Sequence, residues 1–298
     1  IHPSGVELLR SKGCLVRTAS AVDESTICTE VGKADAIIVR MATITEKILA
    51  AGSECKLIVR HGVGLDAIDL EAASRLGIKV VNLPDANIVS VAEYVMGAIL
   101  LMAKQFHTYD TTIRKDWLDS RKSVASIDTN SRVLGIIGFG KIGRLVAEKC
   151  SFALGLRVVA WDPYVMQEEF ADRGVVRADS LRELLKVSDF ITIHLPKNSS
   201  TLGLLGEAEF RWVKQGAFLV NASRGGIVDE ESLIKALESR LLAGAVVDVF
   251  ESEPLSSDSP LFRLENIIAT PHVAGVSQDA LRRLSLGSAE QVISHFWL

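Results

Sequence analysis

Cysteine is scarce in this 298-residue sequence: there are four, at positions 14, 28, 55 and 150, and no two form a CxxC pair. That spacing argues against a disulfide framework or a zinc-ligand set and fits free thiols in a reducing cytoplasm. An excess of charge is missing too. Lys and Arg total 33 against 37 Asp and Glu, a net charge of −4, which gives no electrostatic basis for nucleic acid or an anionic membrane as partner. The longest apolar run, YVMGAILLMA at 94–103, is ten residues long, too short to span a bilayer and suited to a buried helix. The opening stretch IHPSGVELLRSKG shows neither the basic nor the apolar region of a secretory signal. What remains is an ordinary globular composition, 48% hydrophobic and 23% charged. The chain is longer than one core usually serves, so two domains are expected.

Short β-rich runs alternate with helical patterns almost throughout. AIIVR (36–40), KLIVR (56–60) and IKVV (78–81) are separated by segments such as TITEKILAAG and DLEAASRLG, which end at glycine as helices often do. Continuously apolar strands between helices imply a parallel sheet covered on both faces. The pattern restarts at residue 132 with RVLGIIG, LRVVAWD, FITIHLP, AFLVNAS, AGAVVDVF and NIIATPH, a second and larger α/β unit. Between the units, Ala92 to about Ile113 has the spacing of one long helix, and KDWLDSRKSVASIDTN reads as a polar connection. The amphipathic tail from Ser277 is expected to return to the first domain. The expected division is 1–86 with 276–298, and 87–275. Because the first unit opens on a helix, a sheet-forming strand is expected ahead of Ile1.

The stretch RVLGIIGFGKIGRL places Gly138, Gly140 and Gly143 directly behind an apolar run. In a dinucleotide site the first glycine permits a tight turn, the second close backbone approach to pyrophosphate, and the third close helix–strand contact. A preceding strand, a following helix beginning near Lys141 and Ile142, and an acid about 20 residues on would support that reading. All three are present: Asp162 closes RVVAWD, 19 residues beyond Gly143. A carboxylate there accepts ribose hydroxyls and repels a 2′-phosphate, and no arginine follows, which favours NAD over NADP. The alternative is a plain glycine turn with an incidental acid.

Later strand ends carry unusual polar residues: Arg224 in NASRGG, Asp248 and Glu253 in DVFESEP, and His272 in TPHVAG. The carboxyl ends of parallel strands converge on the ligand crevice. If a 2-hydroxy acid is oxidised there, His272 is the natural base for the hydroxyl proton. Glu253 would hold the imidazole in one tautomer, Arg224 would grip the substrate carboxylate, and Asp248 would bond the nicotinamide carboxamide. Each has a plain reading when taken alone: His272 as a capped loop residue, Arg224 as a surface cation, Glu253 as a turn acid. Their occurrence on successive strand ends behind a nucleotide cradle favours the catalytic one.

GFGKIG, NASRGGIVDEESL, DVFESEP and TPHVAG resemble the signature blocks of the D-isomer-specific 2-hydroxyacid dehydrogenase family. The similarity extends upstream through VRMATIT, RHGVGLDAIDLEAASRLGIKVVN and NIVSVAEYVMGAIL, where it is strongest to the phosphoglycerate dehydrogenase branch. The resemblance implies two doubly wound parallel-sheet domains, a flavodoxin-like substrate domain and a Rossmann NAD-binding domain, with an active-site cleft between them and a homodimer joined through the Rossmann domains. It implies an Arg–Glu–His triad at Arg224, Glu253 and His272, and NAD contacts from Pro196, Ala222, Ser223 and Gly275 besides the glycine loop. Val63 and Gly64 would line the substrate side. Formate dehydrogenases of the superfamily carry Gln where this chain has Glu253, which argues against that activity.

A phosphorylated substrate needs cations away from the reacting carbon. By the same resemblance Arg40 is the phosphate partner; Arg60 and His61 are close in sequence to the cleft loop at Val63 and Gly64, and Arg121 and Lys122 could reach across a dimer interface. For Arg40 and Arg60 the alternative is simple strand-end solvation. The expected activity is NAD-dependent hydride transfer on a D-2-hydroxy acid/2-keto acid pair, 3-phosphoglycerate/3-phosphohydroxypyruvate first. Hydroxypyruvate or glyoxylate reduction and oxidation of a sulfonated hydroxy acid stay open, and an NAD-sensing, corepressor-like binding protein is the rival from another class.

Overall fold

A computed structural model describes residues 1–123 and 126–297. Residues 124–125 of the expected polar connection and Leu298 of the tail lie outside the described residues. The chain divides into two compact units, 1–88 with 276–298 and 89–275.

In the first unit, β1 (Ala36–Val39), β2 (Leu57–Arg60) and β3 (Lys79–Val81) form a parallel sheet in that order. Side chains alternate across a strand, and both faces of β2 are buried. Ile58 joins Ile27, Val31, Ile48 and Leu49 from the helices Glu24–Val31 and Glu46–Ala51. Leu57 and Val59 instead meet Leu9 of helix Pro3–Ser11 and Ala289 and Val292 of helix Gln278–Trp297. This two-sided burial is why β2 reads as unbroken apolar sequence. Asp23, Thr45 and Asp69 cap helix starts by accepting first-turn amides. The described strands of this unit run in the order β1-β2-β3, with helices packed on both faces of the sheet.

The second unit holds β4 (Val133–Ile137), β5 (Arg157–Trp161), β6 (Val176–Arg177), β7 (Phe190–Ile193), β8 (Ala217–Asn221), β9 (Leu242–Val247) and β10 (Ile267–Ala269). All pair in parallel, in the order β10-β9-β8-β7-β4-β5-β6. The winding reverses between β4 and β7, the point where open α/β sheets bind ligands. One face carries Leu134, Ile136, Phe190 and Val220, the other Ile137, Ile191, Ile193 and Leu219.

Two sequence expectations need correction here. The single helix over 92–113 is two helices, Ile88–Ala103 and Phe106–Ile113, bent by 51°. Gln105 between them has φ 54°, and the Ile127 amide takes the Ala103 carbonyl that a continuous helix would have used. Part of the expected polar connection is instead a helix, Trp117–Ser123. No single helix among the described residues is long and apolar enough to cross a membrane.

Candidate active site

The glycine loop joins β4 to helix Lys141–Leu154 at the reversal point. Gly138 has φ +93°, and a Cβ there would lie 2.6 Å from the His194 carbonyl oxygen. A Cβ on Gly143 would lie 2.2 Å from the Gly138 oxygen. Both positions therefore need glycine for the fold itself. Gly140 differs: it caps the helix without a side chain, and a Cβ on it would meet nothing within 4 Å. The open position is the glycine at which a dinucleotide's phosphate would approach the backbone.

Asp162 follows β5, 9% exposed. One carboxylate oxygen accepts the Phe139 amide at 2.8 Å and the other the Tyr164 amide at 2.9 Å. Each oxygen keeps a further lone pair, so the same group that ties down the loop can accept ribose hydroxyls. Across the loop, His194 bonds Thr192 at 3.1 Å, and burial pushes its imidazole down to about 3, so it is neutral near pH 7. Lys141 and Ile142 begin the helix, and Pro196, Ala222 and Ser223 follow β7 and β8 on the same sheet edge. Ser223 is tied to Asn221 at 2.9 Å, and Gly275 ends the segment after β10.

Beyond β9 and β10 the structure brings Glu253 and His272 together, with Nδ1 2.8 Å from Oε2. The other Glu253 oxygen accepts the Phe250 amide at 3.0 Å, fixing the carboxylate. His272 sits at φ 53°, an uncommon region that costs on the order of 1 kcal/mol outside glycine. Asp248 holds it there. The His272 amide donates to the Asp248 carbonyl, and the buried Asp248 carboxylate, 1% exposed, accepts the Val273 and Ala274 amides at 2.8 Å each. It also accepts the Thr270 hydroxyl at 2.5 Å, and Thr270 bonds Tyr94 at 2.6 Å. Three of its roughly four acceptor sites are thus engaged in shaping the turn, leaving one on Oδ2. Arg224 follows β8 and donates to the Ser223 carbonyl at 2.7 Å. A Cβ on neighbouring Gly225 would overlap the Phe250 carbonyl, so the Arg224 turn rests directly on the segment leading to Glu253.

The expected substrate residues of the first unit surround the end of β2. The Arg60 guanidinium donates to the Gly64 carbonyl at 2.9 Å, to the Val39 carbonyl at 3.2 Å, and to the Arg40 carbonyl. It braces the 60–64 loop from within, and the Val63 carbonyl is held by Asn82. The half-buried Arg40 guanidinium has no protein partner among the described residues. His61 does not match the expectation of a substrate contact. It is 2% exposed, neither ring nitrogen has a hydrogen-bond partner, and burial, with Arg40 and Arg60 nearby, pushes it down to about 4. A ring so enclosed presents no atom to a ligand.

The family model described as D-isomer specific 2-hydroxyacid dehydrogenase, NAD binding domain, matches residues 96–274. The chain belongs to that family. It is 36% identical over 296 residues to a D-3-phosphoglycerate dehydrogenase of Archaeoglobus fulgidus, covering 99% of this chain and 55% of the relative. It is 38% identical over 279 residues to the enzyme of the same name from Mycobacterium tuberculosis, covering 93% and 52%. The chain thus spans about half the length of the curated relatives it matches. Among solved structures it resembles a D-lactate dehydrogenase of Aquifex aeolicus complexed with NAD and lactic acid, at 30% identity and TM-score 0.85, covering 98% of this chain and 91% of that one.

The second unit is therefore an NAD-binding domain of the 2-hydroxyacid dehydrogenase type, and its glycine loop and Asp162 fit that cofactor. Three participants escape a reading of residue types: Tyr94 and Thr270, which brace Asp248, and Arg144, which bonds the glycine loop at Phe139. Thr270 lies within TPH and has that adjacency as a signal; nothing in the sequence marks Tyr94.

Proposed function

We propose that the chain is an NAD-dependent dehydrogenase interconverting a D-2-hydroxy acid and its 2-keto acid, with 3-phosphoglycerate and 3-phosphohydroxypyruvate as the substrate pair. The observation that carries this reading is the His272–Glu253 pair at 2.8 Å, on the sheet edge that carries the glycine loop. NAD supplies the hydride acceptor. With Nδ1–H donating to Glu253, Nε2 is the nitrogen left to take the substrate hydroxyl proton. The carboxylate then stabilises the imidazolium, and in reverse the same imidazolium returns the proton. Arg224 grips the substrate carboxylate, where its planar fork suits two parallel bonds.

Identity of 36–38% to proteins named D-3-phosphoglycerate dehydrogenase supports the phosphorylated substrate, and Arg40 is the proposed phosphate partner. The similarity to a D-lactate dehydrogenase favours an unphosphorylated acid as the second reading. Steady-state kinetics with NAD and NADH on 3-phosphoglycerate, hydroxypyruvate, glyoxylate and lactate separates the two. A preference for lactate or glyoxylate would remove the phosphate assignment. His272→Ala is expected to lower kcat by about 10²–10⁴-fold while NADH still binds; near-normal turnover would remove the acid–base assignment.

The proposal extends to a homodimer. The helices Phe106–Ile113 and Trp117–Ser123 expose Phe106, Ile113, Trp117 and Leu118, each 44–62% exposed, an apolar surface of the kind subunit interfaces cover. Arg121 and Lys122 lie exposed on the second of these helices. A monomeric mass by light scattering would refute it. Free Cys14, Cys28, Cys55 and Cys150 support a cytoplasmic location.

A further inference from the structure

Arg144 stands one residue past the third glycine, in the first turn of helix Lys141–Leu154, with its side chain 27% exposed. Its contacts converge on one peptide. Nε donates to the Phe139 carbonyl at 2.8 Å, and Nη2 meets Glu169 of helix Gln167–Ala171 at 2.5 Å. The guanidinium carbon lies 5.7 Å from the centre of the Phe139 ring, which itself stacks on Phe170 at 4.6 Å.

Phe139 is the residue between the first two glycines. Its amide is held by Asp162 and its carbonyl by Arg144, so both peptides flanking it are fixed from the protein side. A trans peptide carries its N–H and C=O on opposite edges. With the Phe139 carbonyl turned to the guanidinium, the Gly140 N–H is turned the other way. Gly140 is also where the loop is open, since a Cβ there would meet no atom within 4 Å. Were the Phe139–Gly140 peptide free to flip, its carbonyl would point at the incoming phosphates and repel them.

We propose that Arg144 is a positioning residue for the cofactor pyrophosphate: by holding the Phe139 carbonyl it presents the Gly140 amide as a phosphate donor. Glu169 is part of the device, because it keeps the guanidinium behind the loop. An ordinary exposed ion pair contributes little, but this one also carries a backbone hydrogen bond and an aromatic contact. The proposal rests on the glycine loop being the pyrophosphate site.

The test separates phosphate from nucleoside. Dissociation constants for adenosine, ADP and NADH are measured by NADH fluorescence and its displacement, for wild type, Arg144→Met, Arg144→Lys and Glu169→Gln. In Arg144→Met, ADP and NADH are expected to weaken about tenfold, the loss of one amide–phosphate bond, with adenosine changed less than twofold. Arg144→Lys should recover part of the loss. Glu169→Gln, which leaves the arginine in place, should show a smaller loss with the same ADP selectivity and serves if the methionine variant does not fold. Equal weakening of adenosine and ADP would mean general collapse of the loop and overturn the proposal, as would unchanged ADP affinity. A wild type that binds adenosine as tightly as ADP would instead overturn the reading of the loop and the proposal with it.

Discussion

Lowering the pH from 7 to 5 should destabilise the first unit through His61, by an amount the structure sets. The imidazole is 2% exposed with both nitrogens unpartnered, and burial pushes it from the usual 6.5 to about 4. The folded state therefore keeps it neutral while the unfolded chain takes up a proton below 6.5. Stability is fully present above pH 6.5 and is lost progressively down to about 4. Between 6.5 and 5 that is 1.5 pH units at about 1.4 kcal/mol each, or about 2 kcal/mol from this one group. His61→Leu removes the titration, so the loss between pH 7 and 5 should be smaller in the variant by that amount. Comparing the change with pH, not the stability itself, cancels any packing cost of leucine. Trp297 lies in the first unit and Trp117, Trp161 and Trp212 in the second. Replacing those three with Phe makes Trp297 fluorescence a reporter of the right unit during urea denaturation. Equal pH dependence in the two proteins would show that the imidazole is hydrogen-bonded or hydrated, and the account of its burial would fail.

Substitutions in the glycine loop should divide by cause. Gly140→Ala meets no protein atom within 4 Å, so its melting temperature should stay near wild type while KM for NAD rises at least tenfold. Gly143→Ala drives a Cβ to 2.2 Å from the Gly138 oxygen, so thermal melting should fall together with NAD affinity. Identical behaviour of the two would contradict the assignment of open space to Gly140. Asp248→Asn turns one of two buried acceptor oxygens into a donor facing an amide or a hydroxyl, a cost of about 2 kcal/mol, and should reduce kcat along with melting temperature. Wild-type values of both would refute its role in the His272 turn. The Cys150 thiol is fully buried and burial raises it to about 12, so it should resist iodoacetamide at pH 8 until the protein is unfolded; labelling of the native protein would contradict this.

The strands were legible wherever both faces are buried, because β2, β4, β7 and β8 then carry mostly apolar residues, with Thr192 the polar exception inside β7. β6 has two residues, one of them exposed, and no pattern that short can be distinguished from loop. The glycine loop and Asp162 were legible because backbone clearance imposes glycine at fixed spacing. The break at Gln105 was not: the group that ends the helix is the amide of Ile127, which reaches Ala103 only through the fold. The candidate site divides in the same way. Glu253 and His272 could be named as residue types, but their pairing depends on where β9 and β10 end. Tyr94 meets Thr270 across 176 residues. Arg60 and His61, side by side in sequence, separate physically into a loop brace and an enclosed ring, a distinction that charge and hydropathy do not carry.

Three carboxylates on this sheet edge show how environment, not residue type, assigns a role. Asp162 and Asp248 are nearly enclosed and each accepts two backbone amides, so their charge is used to hold a turn in one conformation. Glu253 accepts only one amide and its side chain is 36% exposed, with its other oxygen on a histidine that is 51% exposed. A carboxylate whose two oxygens each accept a backbone amide is committed to the turn it holds. One that shares its oxygen with an accessible imidazole is placed to stabilise an imidazolium, as the proposed acid–base role requires. The braced pair thus keeps the loop and the His272 turn in place, and Glu253 with His272 is the accessible pair that the proposed acid–base role requires. That separation lets a strained φ persist at His272, the proposed acid–base residue.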